Sequence, residues 1–303
     1  MANIIEVNHL SKRFRGKKGK KDEPPTEGFL LDDISFSVPA GSIMGFVGGN
    51  GAGKTTTIKL LLNQLIKDAG DIRIFGLDHA KDEVAVKEQI GVVFAENRFN
   101  EFLTCRTVED ILSAAYRTWN RDLYLRYLDE FGLQDKQKEQ IKKFSKGMKM
   151  KLALAAALAH EPKLLILDEP TGGLDPVVRG EVLDVFLDFI QDEEHSVFFS
   201  SHITSDIEKV ADYVTFINDG QIIFSESKDL LFEDYHIFRC RRDRFAELKN
   251  SLACGQLIGA RDGRFGSEAL IKGDVGFPVD GESIVTDRAS LEDIMTFYVK
   301  GVA

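Results

Sequence analysis

The sequence contains no long apolar run: Leu152 to Ala159 is among the longest, about half the ~18 residues a membrane span requires. A transmembrane helix within the chain is therefore not expected, and Met1 to Leu10 lacks the basic-then-apolar pattern of a signal peptide. Cysteine is scarce. Cys105, Cys240 and Cys254 are scattered without CxxC spacing and read as reduced cytosolic thiols, not a metal site or disulfide frame. Positive charge is also in deficit, 39 Lys and Arg against 49 Asp and Glu for a net charge of −10. That balance argues against nucleic acid as the main partner, since neutralising phosphates needs a basic face. Repeats and low-complexity tracts are missing too. With 303 residues, 43% of them hydrophobic, the chain can bury the core of one large domain and add a small one.

Basic residues do gather once, in Lys12-Arg13-Phe14-Arg15-Gly16-Lys17-Lys18-Gly19-Lys20-Lys21, before Asp22-Glu23-Pro24-Pro25. The run reads as a solvated, mobile hairpin tip; contact with anionic lipid headgroups, at roughly 1 kcal/mol per basic residue, is the alternative.

The most informative stretch is Gly48-Gly49-Asn50-Gly51-Ala52-Gly53-Lys54-Thr55-Thr56. It follows the apolar run Ile43 to Val47 and precedes a helical pattern with Ile58, Leu61, Leu62 and Leu65 at offsets 0, 3, 4 and 7. Strand, glycine turn, then helix is the context that makes GxxxxGK[ST] a phosphate-binding loop. Four of the six residues from 48 to 53 are glycine, so backbone N–H groups can converge on an anion at the positive end of the helix. Lys54 would then reach the β- and γ-phosphates and the Thr55 hydroxyl would coordinate Mg²⁺.

Around this loop, short strands are expected at Ile4 to Val7, Leu30 to Val38, Asp71 to Ile74 and Ile90 to Phe94, with a short helix between Asp82 and Gln89. Residues 100 to 160 turn mainly helical. Thr107-Val108-Glu109-Asp110 reads as a helix start with acidic residues favouring the dipole, and Arg121 to Phe131 as a helix stopped by Gly132. Lys163 to Leu167 and Val197 to Ser201 are apolar strands of a parallel sheet, separated by a helix from Val177 to Ile190. Tyr213 to Asn218, Asp219-Gly220 and Gln221 to Phe224 suggest a hairpin. Alternating β and α elements imply a doubly wound sheet with its ligand at the strands' carboxyl ends. Beyond about residue 230 strands at Tyr235 to Cys240 and Gln256 to Ala260, and helices at Arg242 to Leu252 and Leu291 to Val299, make a small appendage without readable site chemistry.

A phosphate loop needs a metal partner and a way to place water. Asp168 ends an apolar strand, where a carboxylate can hold Mg²⁺ beside Thr55. Glu169 follows as general base or water-positioning group, and Pro170 stops the chain entering a helix. Phe144-Ser145-Lys146-Gly147-Met148 opens a long helix, with Ser145 as its N-cap and Leu152, Ala155, Ala156 and Ala159 as a packing stripe. His202, at a strand end after two serines, can reach a phosphate.

Gly48 to Thr56, Phe144 to Met148, Leu164 to Pro170, Gly173-Leu174-Asp175-Pro176 and Ser201-His202 stand in the order of the ATP-binding subunits of ABC transporters, and residues 3 to 228 resemble that family. The tail from Ala289 to Ile294 looks like the closing helix of its export-type members. The resemblance implies an α/β P-loop NTPase of ABC type with a mostly parallel sheet, an antiparallel β subdomain, a helical insert and a small C-terminal α+β appendage. An ATP-binding domain at 1–229, with its helical subdomain at about 97–160, and an accessory domain at 230–303 follow.

Position by position, it implies that Gly48, Asn50, Gly51, Ala52, Gly53, Lys54, Thr55 and Thr56 hold the phosphates of ATP, while Thr55 and Asp168 serve Mg²⁺. Glu169 would serve the attacking water, His202 the γ-phosphate, and Phe14 the adenine. Ser145 and Gly147 would contact ATP held by a second subunit, with Asp175 across the interface. Two departures stand out. The signature, Leu-Ser-Gly-Gly-Gln in the family, reads Phe-Ser-Lys-Gly-Met here, adding a cation at Lys146 and losing an amide at Met148. The family's glutamine before the insert aligns with Ala95, so either Glu96 substitutes as a metal-sensing oxygen or coupling works differently. The implied protein is an ATPase working as a homodimer or heterodimer and driving a separate transmembrane permease, in export. It would touch the permease through residues 97 to 143, held peripherally at the cytoplasmic face of the membrane without nucleic acid. A soluble ABC-type ATPase acting on nucleic acid or ribosomes is the rival.

Overall fold

A computed structural model describes residues 2–16, 28–96, 98–263, 266–273 and 284–301. It divides into two compact units, Met1–Ser225 and Glu226–Ala303.

In the first unit β1 (Asn3–Arg13) and β2 (Leu30–Pro39) pair antiparallel, and β3 (Ile43–Val47) leaves for a second sheet. After α1 (Lys54–Leu61), β4 (Ala69–Ile74) returns to β1 and β5 (Leu77–Asp78) completes a four-stranded sheet ordered β2-β1-β4-β5. Strand β1 runs further than expected. Lys12 and Arg13 belong to it and not to a loop tip, because Asp68 accepts from Lys12 Nζ and the Arg13 N–H, each at 2.8 Å. The remaining lysines of the basic run, 17 to 21, lie outside the described residues. Helix α1 is shorter than its apolar spacing suggests, since Asn63 adopts a left-handed φ of 53° just past the Leu62 cap and ends it. Leu65 nevertheless packs on the core formed by Leu10, Ile34, Phe46, Ile58 and Phe198.

After α2 (Glu83–Lys87) and β6 (Ile90–Val93) comes the helical insert: α3 (Cys105–Ala115), α4 (Arg121–Glu130), two single turns at Gln134–Lys136 and Ile141–Lys143, and α5 (Lys146–Leu158). Helix α3 starts ahead of the expected Thr107. Thr104 caps it in a reciprocal pair with Thr107, so Glu109 and Asp110 fall in the second turn and the dipole argument for them does not apply. Glu109 is instead buried against Arg121 at 3.0 Å. Val108, Tyr124, Leu128, Ile141, Leu152 and Ala155 close a separate small core here.

The chain then re-enters the second sheet through β7 (Leu164–Asp168), α6 (Pro176–Phe189), β8 (Ser196–Ser201), α7 (Thr204–Val210), β9 (Tyr213–Asn218) and β10 (Gln221–Ser227). Helix α7 has no counterpart in the sequence reading. The sheet order is β10-β9-β3-β8-β7-β6, with β9, β3, β8, β7 and β6 parallel. Every residue of β3, β7 and β8 is buried, as central parallel strands require. Val47 registers with Ser201 and Asp168 with Ser200, so three loops leave the same sheet edge side by side.

The second unit holds α8 (Lys228–Asp234), β11 (Tyr235–Cys240), α9 (Arg242–Ser251), β12 (Leu257–Asp262), β13 (Ser267–Lys272), β14 (Ile284–Arg288) and α10 (Leu291–Lys300). Its strands form an antiparallel sheet ordered β12-β13-β11-β14 over a core of Phe238, Leu248, Ala269, Ile271 and Ile284.

Candidate functional site

The glycine loop fills the turn between β3 and α1. Gly48 has no room for a side chain, because a Cβ there would lie 2.4 Å from the Ile217 carbonyl oxygen. Gly53, at φ 118°, starts the helix in a conformation L side chains rarely adopt. The Ala52 N–H donates to Gly49 and the Gly220 N–H to Ala52, which fixes the loop to the turn between β9 and β10. The first amides of α1 have no acceptor in their own helix and stay available to an anion. Lys54 is buried. Its ammonium donates to the carbonyls of Gly48 at 2.8 Å and Gly49 at 3.1 Å and pairs with Glu169 Oε1 at 3.0 Å.

The end of β7 supplies both carboxylates. Thr55 Oγ1 donates to the Asp168 carboxylate at 2.9 and 3.1 Å, while Ser200 Oγ donates to Asp168 Oδ1 at 2.8 Å. Glu169 adopts φ 50°, a left-handed conformation costly for a residue with a side chain. Its N–H is held by Ser200 Oγ at 3.0 Å, and its carboxylate lies between two cations or potential cations. Oε1 meets Lys54, and Oε2 meets His202 Nδ1 at 2.6 Å. The sequence reading did not assign Ser200 a role; its place opposite Asp168 emerges only from the pairing of β7 with β8.

Lys54, Thr55, Glu169 and His202 line one cavity of about 740 Å³, whereas Gly48, Ala52, Asp168 and Ser200 do not belong to its lining. Asn50, Gly51, Gly53, Lys54, Thr55 and Thr56 form one wall, and Glu169 and His202 another. Phe14 stands at the rim with Phe29, which sequence reasoning missed. The two rings are 6.3 Å apart, and the Phe14 N–H donates to the Phe29 carbonyl at 2.8 Å.

The other expected residues fall elsewhere. Ser145 caps α5, its Oγ accepting from the Met148 N–H at 3.2 Å, and is exposed. Gly147 faces Val178. Asp175 caps α6 by accepting from the Val177 and Val178 N–H groups, each at 3.1 Å. Lys146 does line this cavity, with its ammonium over Gly173. Ala95 lines that cavity as well, whereas Glu96 lines adjacent ones beside Phe94 and Lys149.

Whether this site suits a triphosphate and a hard dication is a matter of its donors. A glycine turn too tight for a Cβ, a buried lysine and a threonine hydroxyl against a carboxylate are the groups both require.

Comparison with known proteins identifies the family. The model of the ABC transporter family matches residues 31–172. The chain is 35% identical over 223 residues to the bacitracin transport ATP-binding protein of Bacillus licheniformis, covering 74% of this chain and 69% of that one. It is 33% identical to a lantibiotic transport ATP-binding protein of Streptococcus pyogenes, across 79% of this chain and all of the relative. Among solved structures, an ATP-binding subunit of an ABC transporter superposes with a TM-score of 0.62 at 27% identity, over 76% of this chain and 92% of that one. A dimeric ATP-binding cassette in a post-hydrolysis state with ADP and Pi shares the fold, with a TM-score of 0.63 over 74% of this chain and 98% of that one. These matches favour the transporter over the nucleic-acid or ribosome alternative. The chain belongs to the ABC transporter family as an ATP-binding, ATP-hydrolysing subunit.

Proposed function

We propose that this subunit drives a separate transmembrane permease in export, from the cytoplasmic face of the membrane, by closing a dimer on ATP and reopening it on hydrolysis. The observation that carries the chemistry is the Glu169 carboxylate, held at once by Lys54 and His202 at the mouth of the glycine loop. The phosphates of ATP compete with Gly48, Gly49 and Glu169 for the Lys54 ammonium. Once Lys54 turns to them, Glu169 is free to accept a proton from the attacking water, and His202, anchored through Nδ1, keeps Nε2 for the γ-phosphate. Thr55 and Asp168 would hold Mg²⁺, which when bound offsets charge on the phosphates. Phe14, supported by Phe29, offers a face for adenine.

Ser145 and Gly147 lie outside the chain's own cavity lining, which suits residues that serve ATP held by a second subunit. The partner can be a copy of this chain or a different ATPase. Permease contact is assigned to the helical insert. Phe102 and Ile111 are exposed there, and a cavity of about 160 Å³ lined by Phe94, Arg98, Phe99 and Leu112 lies where β6 meets it. Export rests on the capped closing helix α10 and on relatives named for bacitracin and lantibiotic transport. Isolation of the intact complex from membranes tests the assignment. An integral membrane protein that co-purifies, and whose release follows Phe102→Asp, is the expected result; a subunit recovered with ribosomes or DNA instead would overturn it.

A further inference from the structure

Asp206 is a buried carboxylate that the account above leaves without a task. It sits in α7, four residues past His202, and two elements reach it. Thr171 Oγ1, two residues past Glu169, donates to Oδ2 at 2.6 Å; Arg179 Nε, in the first turns of α6, donates to Oδ1 at 2.5 Å. Arg179 also donates through Nη2 to Ser205 Oγ at 2.7 Å. Thr171 is itself buried, and the Gly172 N–H donates back to the Glu169 carbonyl at 3.1 Å. The Asp206 N–H in turn donates to the Ile203 carbonyl at 3.2 Å, in the turn directly after His202.

A carboxylate removed from water is costly unless its oxygens are all partnered, and here both are. What this arrangement joins is specific: the loop carrying Glu169 and the loop carrying His202. Glu169 occupies a left-handed backbone conformation that persists only where its surroundings over-determine it. Ser200 holds the residue from the side preceding Pro170. The Thr171–Asp206 bond holds it from the side following.

We propose that Asp206 is a positioning residue, which through Thr171 and Arg179 locks the Glu169 loop to the His202 loop and so keeps the 2.6 Å Glu169–His202 contact in register for hydrolysis. The proposal rests on the ATPase reading of the same cavity. It concerns catalytic geometry and not nucleotide affinity, since Asp206, Thr171 and Arg179 do not line the cavity.

The test is steady-state ATP turnover by the full-length protein as wild type, Thr171→Val, Thr171→Ser and Asp206→Asn, each with its thermal midpoint. Replacing the threonine hydroxyl by a methyl is expected to lower kcat about tenfold or more while KM for MgATP stays within about twofold, because misplacing a reacting group by an ångström costs rate and not binding. Thr171→Ser keeps the hydroxyl and is expected to restore most of kcat. Asp206→Asn should move kcat in the same direction as Thr171→Val, and it decides the matter if Thr171→Val does not fold. Wild-type kcat in Thr171→Val, equal losses in the Val and Ser variants, or a loss carried by KM would each overturn the clamp. A wild type without ATP turnover would instead overturn the ATPase reading beneath it.

Discussion

The two units of the chain place their charges in opposite ways. The N-terminal unit buries Lys54, Asp168, Asp206, Glu109, His79 and His160. In the C-terminal unit no charged side chain is buried among the described residues. Its charges form a surface network instead, with Glu268 accepting from Arg239 at 2.8 Å and from Arg261 at 2.7 Å, and Asp287 paired to Arg239 as well. Burying an ion costs several kcal/mol before any partner is found, about the margin by which a domain is stable at all. A fold that needs only to persist keeps charge outside, as the second unit does. The first unit accepts the cost at Lys54, Asp168 and Asp206, which cluster past the carboxyl ends of β3, β7 and β8, and again at Glu109, His79 and His160 away from them.

Substitutions should therefore separate activity from stability in one unit and not in the other. The largest effect is expected at Glu169. Glu169→Gln should lower ATP turnover by about 10² to 10⁴ with nucleotide binding retained, measured by phosphate release and equilibrium nucleotide titration. Next comes the C-terminal core. Phe297→Ala, at a buried ring of α10, should cost about 3–5 kcal/mol in that unit's urea transition and leave turnover at low temperature near wild type. An equal loss of turnover would mean that the second unit shares in the chemistry.

Smaller effects sharpen the contrast. Burial holds His79 and His160 below the ordinary imidazole range, because the charged form is deprived of water. Unfolded histidine takes up a proton near pH 6.5, at which the folded rings stay neutral, so stability falls as pH drops through about 6.5. A lower urea midpoint at about pH 5.5 than at pH 7.5 is expected for the first unit, with the gap narrowed in His160→Gln. In the surface network, Arg261→Gln should change stability by no more than about 1 kcal/mol.

The sequence located the groups of the candidate site better than the connections that hold them. The placement of the glycine loop, Asp168-Glu169 and His202 around one site was legible because each stands at a recognisable offset from a strand end. Strands β7 and β8 were legible because a sheet covered on both faces permits only apolar residues. Helix ends were less so. The apolar spacing of Ile58, Leu61, Leu62 and Leu65 continues past Asn63, although the backbone there turns left-handed, and Thr107 looked like a helix start because its partner Thr104 completes the cap from outside. Ser200, Asp206, Thr171 and Arg179 were silent for a different reason. Each contributes by pairing with a group far away in sequence, and a single chain of letters carries no record of who faces whom.

Glu169, bridged by Lys54 and His202, is the group proposed to act on the attacking water. The most direct test is gel filtration of Glu169→Gln with MgATP, with nucleotide content read from the same fractions. A dimer that retains ATP, beside a wild type that returns to monomer as ADP forms, is the expected result. A Glu169→Gln protein that hydrolyses ATP at the wild-type rate would contradict the account.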